Sequence, residues 1–290
     1  MSTVVTGATG QLGRLAVEAL LRRGVQPSEI VATGRDIAKI KDLADRGVTV
    51  RRADFSDPDS LTSAFEGATK LLLVSTDAVG ERAANHRRAI DAAKAAGVST
   101  LVYTSISNID SATMKLADEH RETEQYLSTA GVPFVLLRNG WYLENYTDQL
   151  ATYLQYGAVT GSAGEGRVSA ATRADFADAA AAVLTTEGHT GAVYELGGDQ
   201  AFTLSELAAE VSRASGREIV YNDLPVADFT QLLIGAGLPA PFAEVLADAD
   251  LGLGRGELLV ESGDLSRLTG RPTTTLTEAL TAALARIDAS

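Results

Sequence analysis

The sequence feature that most constrains the fold is a glycine-spaced turn close to the N-terminus. A short apolar segment, 3–6, leads into Gly7-Ala8-Thr9-Gly10-Gln11-Leu12-Gly13, and apolar residues then recur at helical spacing as far as Gly24. Glycine permits a tight turn, removes the Cβ that would block a ligand, and lets the helix pack closely on the strand. Because a helix N-terminus also offers unpaired N–H groups to an anion, this order of elements predicts a cradle for the pyrophosphate of a dinucleotide.

The glycine spacing alone is a weak signal. Gly7, Gly10 and Gly13 form G-x-x-G-x-x-G, whereas the more familiar nucleotide-binding pattern has a glycine where Ala8 stands. The alternative is an ordinary turn between a strand and a helix, without a nucleotide. The strand before the turn and the helix after it favour the cradle.

The rest of the N-terminal half alternates between apolar and helical segments. Strands are expected at 29–34, 48–53, 70–75, 100–105 and 132–138, with a last one at 192–196. The third and fifth of these contain continuously apolar cores, as expected of strands covered by helices on both faces. The sequence therefore predicts an α/β fold, a Rossmann-type doubly wound parallel sheet.

A smaller, mainly helical C-terminal lobe is expected to follow. Capping boxes at Thr203 to Glu206 and Thr275 to Glu278 each start a helix, and Gly252, Gly254 and Gly256 suggest a pliable loop between them. We expect a dinucleotide-binding domain over 1–156, to which 172–200 returns, and a substrate lobe over 201–290 that also includes 157–171.

Composition excludes several kinds of chemistry. The chain has no cysteine and only three scattered histidines, which argues against disulfides, thiol catalysis and a metal site. A net charge of -13 argues against nucleic acid as a partner. No apolar segment approaches the length of a membrane helix, so we expect neither insertion nor secretion, and a cytoplasmic location.

Ligands of a doubly wound sheet bind beyond the carboxyl ends of its strands, so the residues there are the candidates. Arg35 and Asp36 follow the second strand, where the adenosine ribose is usually met. Arg35 can hold a 2′-phosphate and would select NADP, whereas Asp36 can accept from a 2′-hydroxyl and would select NAD. We favour Arg35 and a preference for NADPH over NADH.

Two further strand ends give weaker candidates. Asp54 is placed to contact the adenine edge, although it can equally serve the local turn. Ser75, Thr76 and Asp77 can line the cofactor, although such residues often end strands for other reasons.

The helix expected at 116–130 lacks a pair that carbonyl reductases of this fold usually carry. Tyrosine and lysine four residues apart would lie on one face toward the nicotinamide, but no lysine follows a tyrosine at that spacing. Leu116 stands where the tyrosine of the pair is expected, and His120 stands where the lysine is expected. His120 is either a substitute that points at the ribose or substrate, or a hydrogen-bonded histidine between helix and sheet.

The sixth strand runs into an aromatic and amide cluster, 139–146. Asn139 can orient an amide or ketone, and Trp141 and Tyr142 can stack on a flat ring. The alternative is a packed junction between the two lobes. Our catalytic candidates are Tyr142, His120 and Asn139.

With these residues in place, the sequence resembles the NmrA-like group of atypical short-chain dehydrogenases/reductases, most closely its NAD(P)H:quinone oxidoreductase 2 branch. The resemblance covers nearly the whole chain and is carried by segments 5–13, 117–121, 136–142, 171–175 and 270–276. It implies that NADPH is held by the Gly7 to Leu12 turn, Arg35, Ser75 to Asp77, and Asn139 with Gly140, Trp141, Tyr142, Leu143 and Glu144. Asp77 departs from the small hydroxyl residue expected there, because a carboxylate beside a pyrophosphate weakens binding unless it turns away.

The resemblance also implies a reaction, hydride transfer from nicotinamide C4 to a quinone stacked on it. A quinone is easily reduced and its product takes protons from water, so the missing tyrosine and lysine are consistent with this acceptor. Two alternatives stay open: an NADP-sensing regulator that binds the cofactor without turnover, and a reductase of a polycyclic or phenolic metabolite.

Overall fold

The computed structural model describes residues 2–288, so Met1, Ala289 and Ser290 of the two expected domains lie outside it. The strands are β1 Ser2–Val5, β2 Ile30–Gly34, β3 Thr49–Arg52, β4 Ala68–Leu73, β5 Thr100–Ile106, β6 Phe134–Asn139, β7 Ala158–Gly161, β8 Arg167–Val168, β9 Val193–Leu196, β10 Phe202–Thr203 and β11 Val220–Asp223. The α-helices are α1 Gln11–Arg22, α2 Lys41–Asp45, α3 Pro58–Phe65, α4 Arg82–Ala95, α5 Lys115–Ala130, α6 Glu144–Thr147, α7 Leu150–Tyr156, α8 Arg173–Thr185, α9 Leu204–Ser215, α10 Val226–Gly235, α11 Ala240–Gly254, α12 Asp264–Thr269 and α13 Leu276–Asp288.

A seven-stranded sheet, all of it parallel, organises the molecule. Its order is β3-β2-β1-β4-β5-β6-β9, so the chain moves outward from β1 in both directions and leaves a crevice at the carboxyl ends of β1 and β4. Two apolar clusters cover the sheet, one containing α1 and α8 residues and the other α3, α4 and α5 residues. This confirms the predicted Rossmann-type doubly wound fold.

A third apolar cluster forms the second lobe. It joins residues after β5 and β6 to α9, α11 and α13, and two small two-stranded sheets, β10–β8 and β11–β7, border it. Both predicted capping boxes are present, since Thr203 and Glu206 exchange hydrogen bonds at the start of α9, as do Thr275 and Glu278 before α13. The division into domains at the predicted boundaries stays a prediction.

The prediction of a loop from Gly252 to Gly256 is wrong for the first half of that segment. Gly252 and Gly254 belong to α11, and only Gly256 has a positive φ, 81°. A Cβ at Gly252 would lie 3.1 Å from Oε2 of Glu257 and 3.2 Å from Cβ of Met114. Close packing of α11 against the residue that precedes α5 therefore explains this glycine. None of the helices within residues 2–288 is long and apolar enough to cross a membrane.

Candidate functional site

One cleft of about 750 Å³ lies beyond the carboxyl ends of the central strands. Its walls are the glycine turn, the strand ends, the start of α4, one face of α5 and the segment after β6. The predicted residues in its lining are Gly7, Thr9, Gly10, Gln11, Leu12, Arg35, Asp54, Ser75, Thr76, Asp77, His120, Asn139, Gly140, Trp141 and Tyr142. The fold thus brings most of the candidate residues to one site.

Three predicted cofactor residues lie outside this lining. The side chain of Ala8 is fully buried in the core between the sheet and α1, and its N–H donates to the carbonyl of Thr33. Leu143 is buried in the second lobe. The Glu144 carboxylate accepts from the backbone N–H of Arg173 at 2.9 Å, so it serves the start of α8. The side chains of Ala8 and Leu143 therefore serve core packing, and that of Glu144 serves the start of α8.

The glycine turn has the geometry of a cradle. Gly7 has a φ of 64°, in the left-handed region. A Cβ at Gly13 would lie 2.3 Å from the carbonyl oxygen of Gly7, so only glycine lets the helix start this close to the strand. A Cβ at Gly10 meets only that oxygen, at 3.4 Å, because the glycine is exposed and borders the cleft. The free space at Gly10 is therefore space for a ligand.

The neighbouring Arg35 and Asp36 have different surroundings. Asp36 accepts a hydrogen bond from the backbone N–H of Ala38 at 3.2 Å, which caps the short 3₁₀ turn after β2, and it is not part of the cleft lining. Arg35 is exposed, lines the cleft with Lys39, and has no hydrogen bond or ion pair among the described residues. This arrangement leaves two cations at the end of the cleft where a 2′-phosphate would lie.

Asp54 serves its own turn as well as lining the cleft. Its Oδ1 accepts from the backbone N–H and the hydroxyl of Ser56, at 3.0 and 2.7 Å. These hydrogen bonds hold the pKa of the carboxyl below its usual value. The role in the local turn is therefore observed, and the contact with the adenine edge stays a prediction.

His120 is buried beneath the cleft and held by a neighbour on β5. The hydroxyl of Tyr103 lies 2.7 Å from Nδ1 of His120, and the side chain of Thr123 is a second hydrogen-bonding neighbour of that hydroxyl. We assign the hydroxyl as the donor to Nδ1, and with this assignment the imidazole proton lies on Nε2. Burial, aided by the positive charge of Arg82, lowers the pKa of His120 well below its usual value. The ring is a neutral donor at physiological pH.

A second histidine anchors the segment after β4. The backbone N–H of Thr76 donates to Nε2 of His86 at 3.1 Å, so Nδ1 carries the proton and donates to the hydroxyl of Thr123 at 3.0 Å. Burial lowers the pKa of His86 to about 3, which keeps it neutral. The sequence had given no role to His86.

Arg82, also missed from the sequence, is a buried cation of the lining. Its Nε donates to the carbonyl of Thr76 at 2.7 Å, and its Nη1 lies 3.8 Å from Oε2 of Glu119. Glu119 in turn accepts from the backbone N–H groups of Gly80 and Arg82. These contacts join the loop after β4 to α4 and α5. They also place the guanidinium charge of Arg82 close to His120.

The aromatic segment both lines the cleft and packs between elements. Tyr142 stacks beneath the guanidinium of Arg173, 4.7 Å from ring centroid to Cζ, and meets the edge of Phe176. Burial raises the pKa of the Tyr142 hydroxyl, so the group stays protonated. Trp141 lines the cleft and packs against the second lobe. The two interpretations of this cluster are thus compatible.

Comparison with known proteins agrees with this fold and cleft. The sequence model described as the NmrA-like family matches residues 2–259. The chain belongs to the NmrA-like family.

Relatives of this NmrA-like protein include characterised reductases. It is 50% identical to Quinone oxidoreductase 2 of Escherichia coli over 95% of this chain and 96% of that one. A crystal structure of the NADPH-dependent quinone oxidoreductase of Escherichia coli, complexed with NADPH, has a TM-score of 0.94 at 48% identity and covers 98% of this chain and 100% of that one. The triphenylmethane reductase of Citrobacter sp., complexed with NADP(H), has a TM-score of 0.93 at 37% identity, over 97% of this chain and 100% of that one.

Proposed function

We propose that this protein is an NADPH-dependent oxidoreductase that transfers a hydride to a quinone and so reduces it by two electrons. The observation that carries the proposal is the 50% identity, over nearly the full length of both chains, to a quinone oxidoreductase. The cleft supports it independently, because it combines a glycine turn, the exposed cations Arg35 and Lys39, and an aromatic wall.

The residues of the cleft fit NADPH. The space above Gly10 accepts the pyrophosphate, with the free N–H groups of α1 facing it. Arg35 and Lys39 hold the 2′-phosphate, while Asp36 is turned into its own cap and the nearby Asp54 is hydrogen-bonded to Ser56. Asn139 and Arg173 line the cleft, and each has a buried polar atom without a hydrogen-bond partner within residues 2–288. These contacts remain our proposal for the cofactor site.

Reduction of a quinone needs little general acid catalysis from the protein. NADPH, when bound, supplies the hydride, and the balance is quinone plus NADPH plus one proton to hydroquinone plus NADP⁺. His120 directs its Nε2–H to a substrate oxygen that gains negative charge, and the positive charge of Arg82 favours that anion. Water supplies the proton. Tyr142 and Trp141 exclude water and offer flat surfaces on which a ring can stack.

The proposal extends to partners and location. The partner is a small molecule, a quinone, with no role for nucleic acid given the net charge of -13. We place the protein in the cytoplasm, where NADPH is regenerated. A sensor of NADP(H) would have the same cradle but would not need the donor at His120.

Anaerobic mixing of the protein–NADPH complex with 1,4-benzoquinone tests the proposal. We expect oxidation of one NADPH for each hydroquinone formed, with no semiquinone signal by electron paramagnetic resonance. Tight NADPH binding with no faster oxidation than in protein-free buffer would contradict the proposal and favour a sensor.

A further inference from the structure

Two buried polar atoms in the lining of the cleft have no hydrogen-bond partner in the part of the chain that the structure describes. They are Oδ1 of Asn139, at the end of β6, and Nη1 of Arg173, at the first turn of α8. Asn139 is 4% exposed and the Arg173 side chain 16% exposed. Because buried polar groups in native proteins are paired almost without exception, an unpaired acceptor and an unpaired donor in one cleft indicate a ligand that carries both.

Both side chains are fixed, so the two atoms have a set direction. The guanidinium of Arg173 stacks on Tyr142, and its Nη2 donates to Oδ1 of Asn145 at 3.2 Å. The nearest carboxylate oxygen to Nη1 belongs to Glu144 at 3.7 Å, beyond hydrogen-bond distance. The amide of Asn139 interacts with the hydroxyl of the same Tyr142. Tyr142 therefore connects the two residues.

We propose that Asn139 and Arg173 together hold the carboxamide of the nicotinamide ring. The carboxamide N–H donates to Oδ1 of Asn139, and its carbonyl oxygen accepts from Nη1 of Arg173. A primary amide carries one N–H donor group and one carbonyl acceptor, the two functions that the unpaired acceptor and donor require. This inference rests on the proposed use of NADPH and assigns a role to Arg173 that the predicted site does not include. Asn139 and Arg173 are then positioning residues, because they fix which face of the nicotinamide ring is turned to the substrate.

A competing role for Arg173 is a contact with the pyrophosphate, since α8 packs beside α1. The two roles differ in which part of the cofactor they need. NADPH carries both groups, whereas 2′-phospho-ADP-ribose carries the pyrophosphate and lacks the nicotinamide ring. The reduced cofactor is the right probe, because its ring has no positive charge to be repelled by Arg173.

Calorimetric titration with these two ligands tests the proposal without turnover. We expect Arg173→Gln and Asn139→Leu each to weaken NADPH binding by about tenfold and to change binding of 2′-phospho-ADP-ribose by less than about twofold. Retained binding of the ring-less ligand shows that each variant is folded. Arg173→Lys keeps the charge without the planar guanidinium and should lose NADPH affinity as well. Arg167→Gln is the matched control, because Arg167 is exposed, pairs with Glu206 and lies outside the cleft lining.

The other outcomes decide against the proposal. An equal loss for both ligands in Arg173→Gln assigns this residue to the pyrophosphate and overturns the carboxamide contact. Unchanged NADPH affinity in both variants also overturns it, while leaving the proposed function intact. If the unmodified protein binds NADPH no more tightly than it binds 2′-phospho-ADP-ribose, the nicotinamide ring makes no favourable contact. The proposed carboxamide site is then wrong. Failure of the unmodified protein to bind either ligand would instead contradict the proposed function.

Discussion

The hydroxyl of Tyr103 lies 2.7 Å from Nδ1 of His120, and with the hydroxyl assigned as donor the imidazole proton lies on Nε2. His120 occupies the place where the related carbonyl reductases have lysine, one turn after Leu116, and both residues line the cleft. A buried neutral imidazole can donate a hydrogen bond but has no second proton to give. The relationship explains why an easily reduced acceptor suits this site.

Tyr103→Phe should lower the kcat of quinone reduction several-fold while leaving the Kd for NADPH unchanged. Without the hydroxyl, His120 is free to adopt the other tautomer and presents an acceptor to the substrate for part of the time. Steady-state kinetics and calorimetry check this. Tyr126→Phe is the control, because Tyr126 bonds to Asp91 away from the cleft. An unaltered kcat in Tyr103→Phe would mean that the tautomer of His120 does not matter.

Arg35→Ala should remove the preference for NADPH over NADH. One charge-assisted contact of about 1.5 to 3 kcal/mol corresponds to roughly ten- to hundredfold discrimination. Asp36→Asn should retain the preference, since that side chain caps the turn at Ala38. Calorimetry with both cofactors measures the ratio. Equal affinities in the unmodified protein would show that Arg35 does not contact the ribose phosphate.

Gly10 and Gly13 should respond differently to a side chain. Gly10→Val should fold with a Tm near that of the unmodified protein but show no stabilisation by NADPH, because its side chain fills the ligand space. Gly13→Ala should lower the Tm in the absence of any ligand, because its Cβ would clash with the carbonyl of Gly7. Thermal unfolding with and without NADPH separates the two. A Gly10→Val protein still stabilised by NADPH would place the pyrophosphate elsewhere.

Asp250→Asn should stabilise the protein above pH 6. Burial raises the pKa of Asp250 to about 6, while its Oδ2 accepts from the backbone N–H of Ser162 at 2.8 Å. The folded state then holds a proton that the unfolded state loses near pH 4, so stability falls as pH rises between these values. The gain is up to about 3 kcal/mol at pH 7 and vanishes below pH 4. Denaturant unfolding at pH 4 and 7 checks it, with the exposed Asp228→Asn as control; equal effects at both pH values would contradict the assignment.

Short-range signals account for most of what the sequence predicted correctly. The apolar segments fix the parallel strands, and the two predicted capping boxes start α9 and α13 as their spacing indicates. Each of these signals involves residues a few positions apart. The predicted order of strand, glycine turn and helix is present for the same reason, since the three are contiguous, and the binding of a cofactor at this turn stays a prediction.

Contacts between distant segments account for what the sequence did not reveal. Arg82 is important because it contacts Thr76 and Glu119, which lie on other segments of the chain. Arg173 is important because its guanidinium stacks on the ring of Tyr142. The glycine spacing at 252–256 predicts a flexible loop, whereas Gly252 lies within α11 in close approach to Met114. No local periodicity carries this information.

The central claim is that the protein reduces quinones with NADPH without a tyrosine and lysine pair to protonate a carbonyl. The most direct test is the rate of NADPH oxidation, in one buffer, with a matched panel of small quinones, simple ketones and aldehydes. We predict rapid oxidation with the quinones and a kcat/KM for ketones and aldehydes lower by at least about a thousandfold, since those acceptors need a proton donor in the transition state. Comparable kcat/KM values for ketones and quinones would contradict the account.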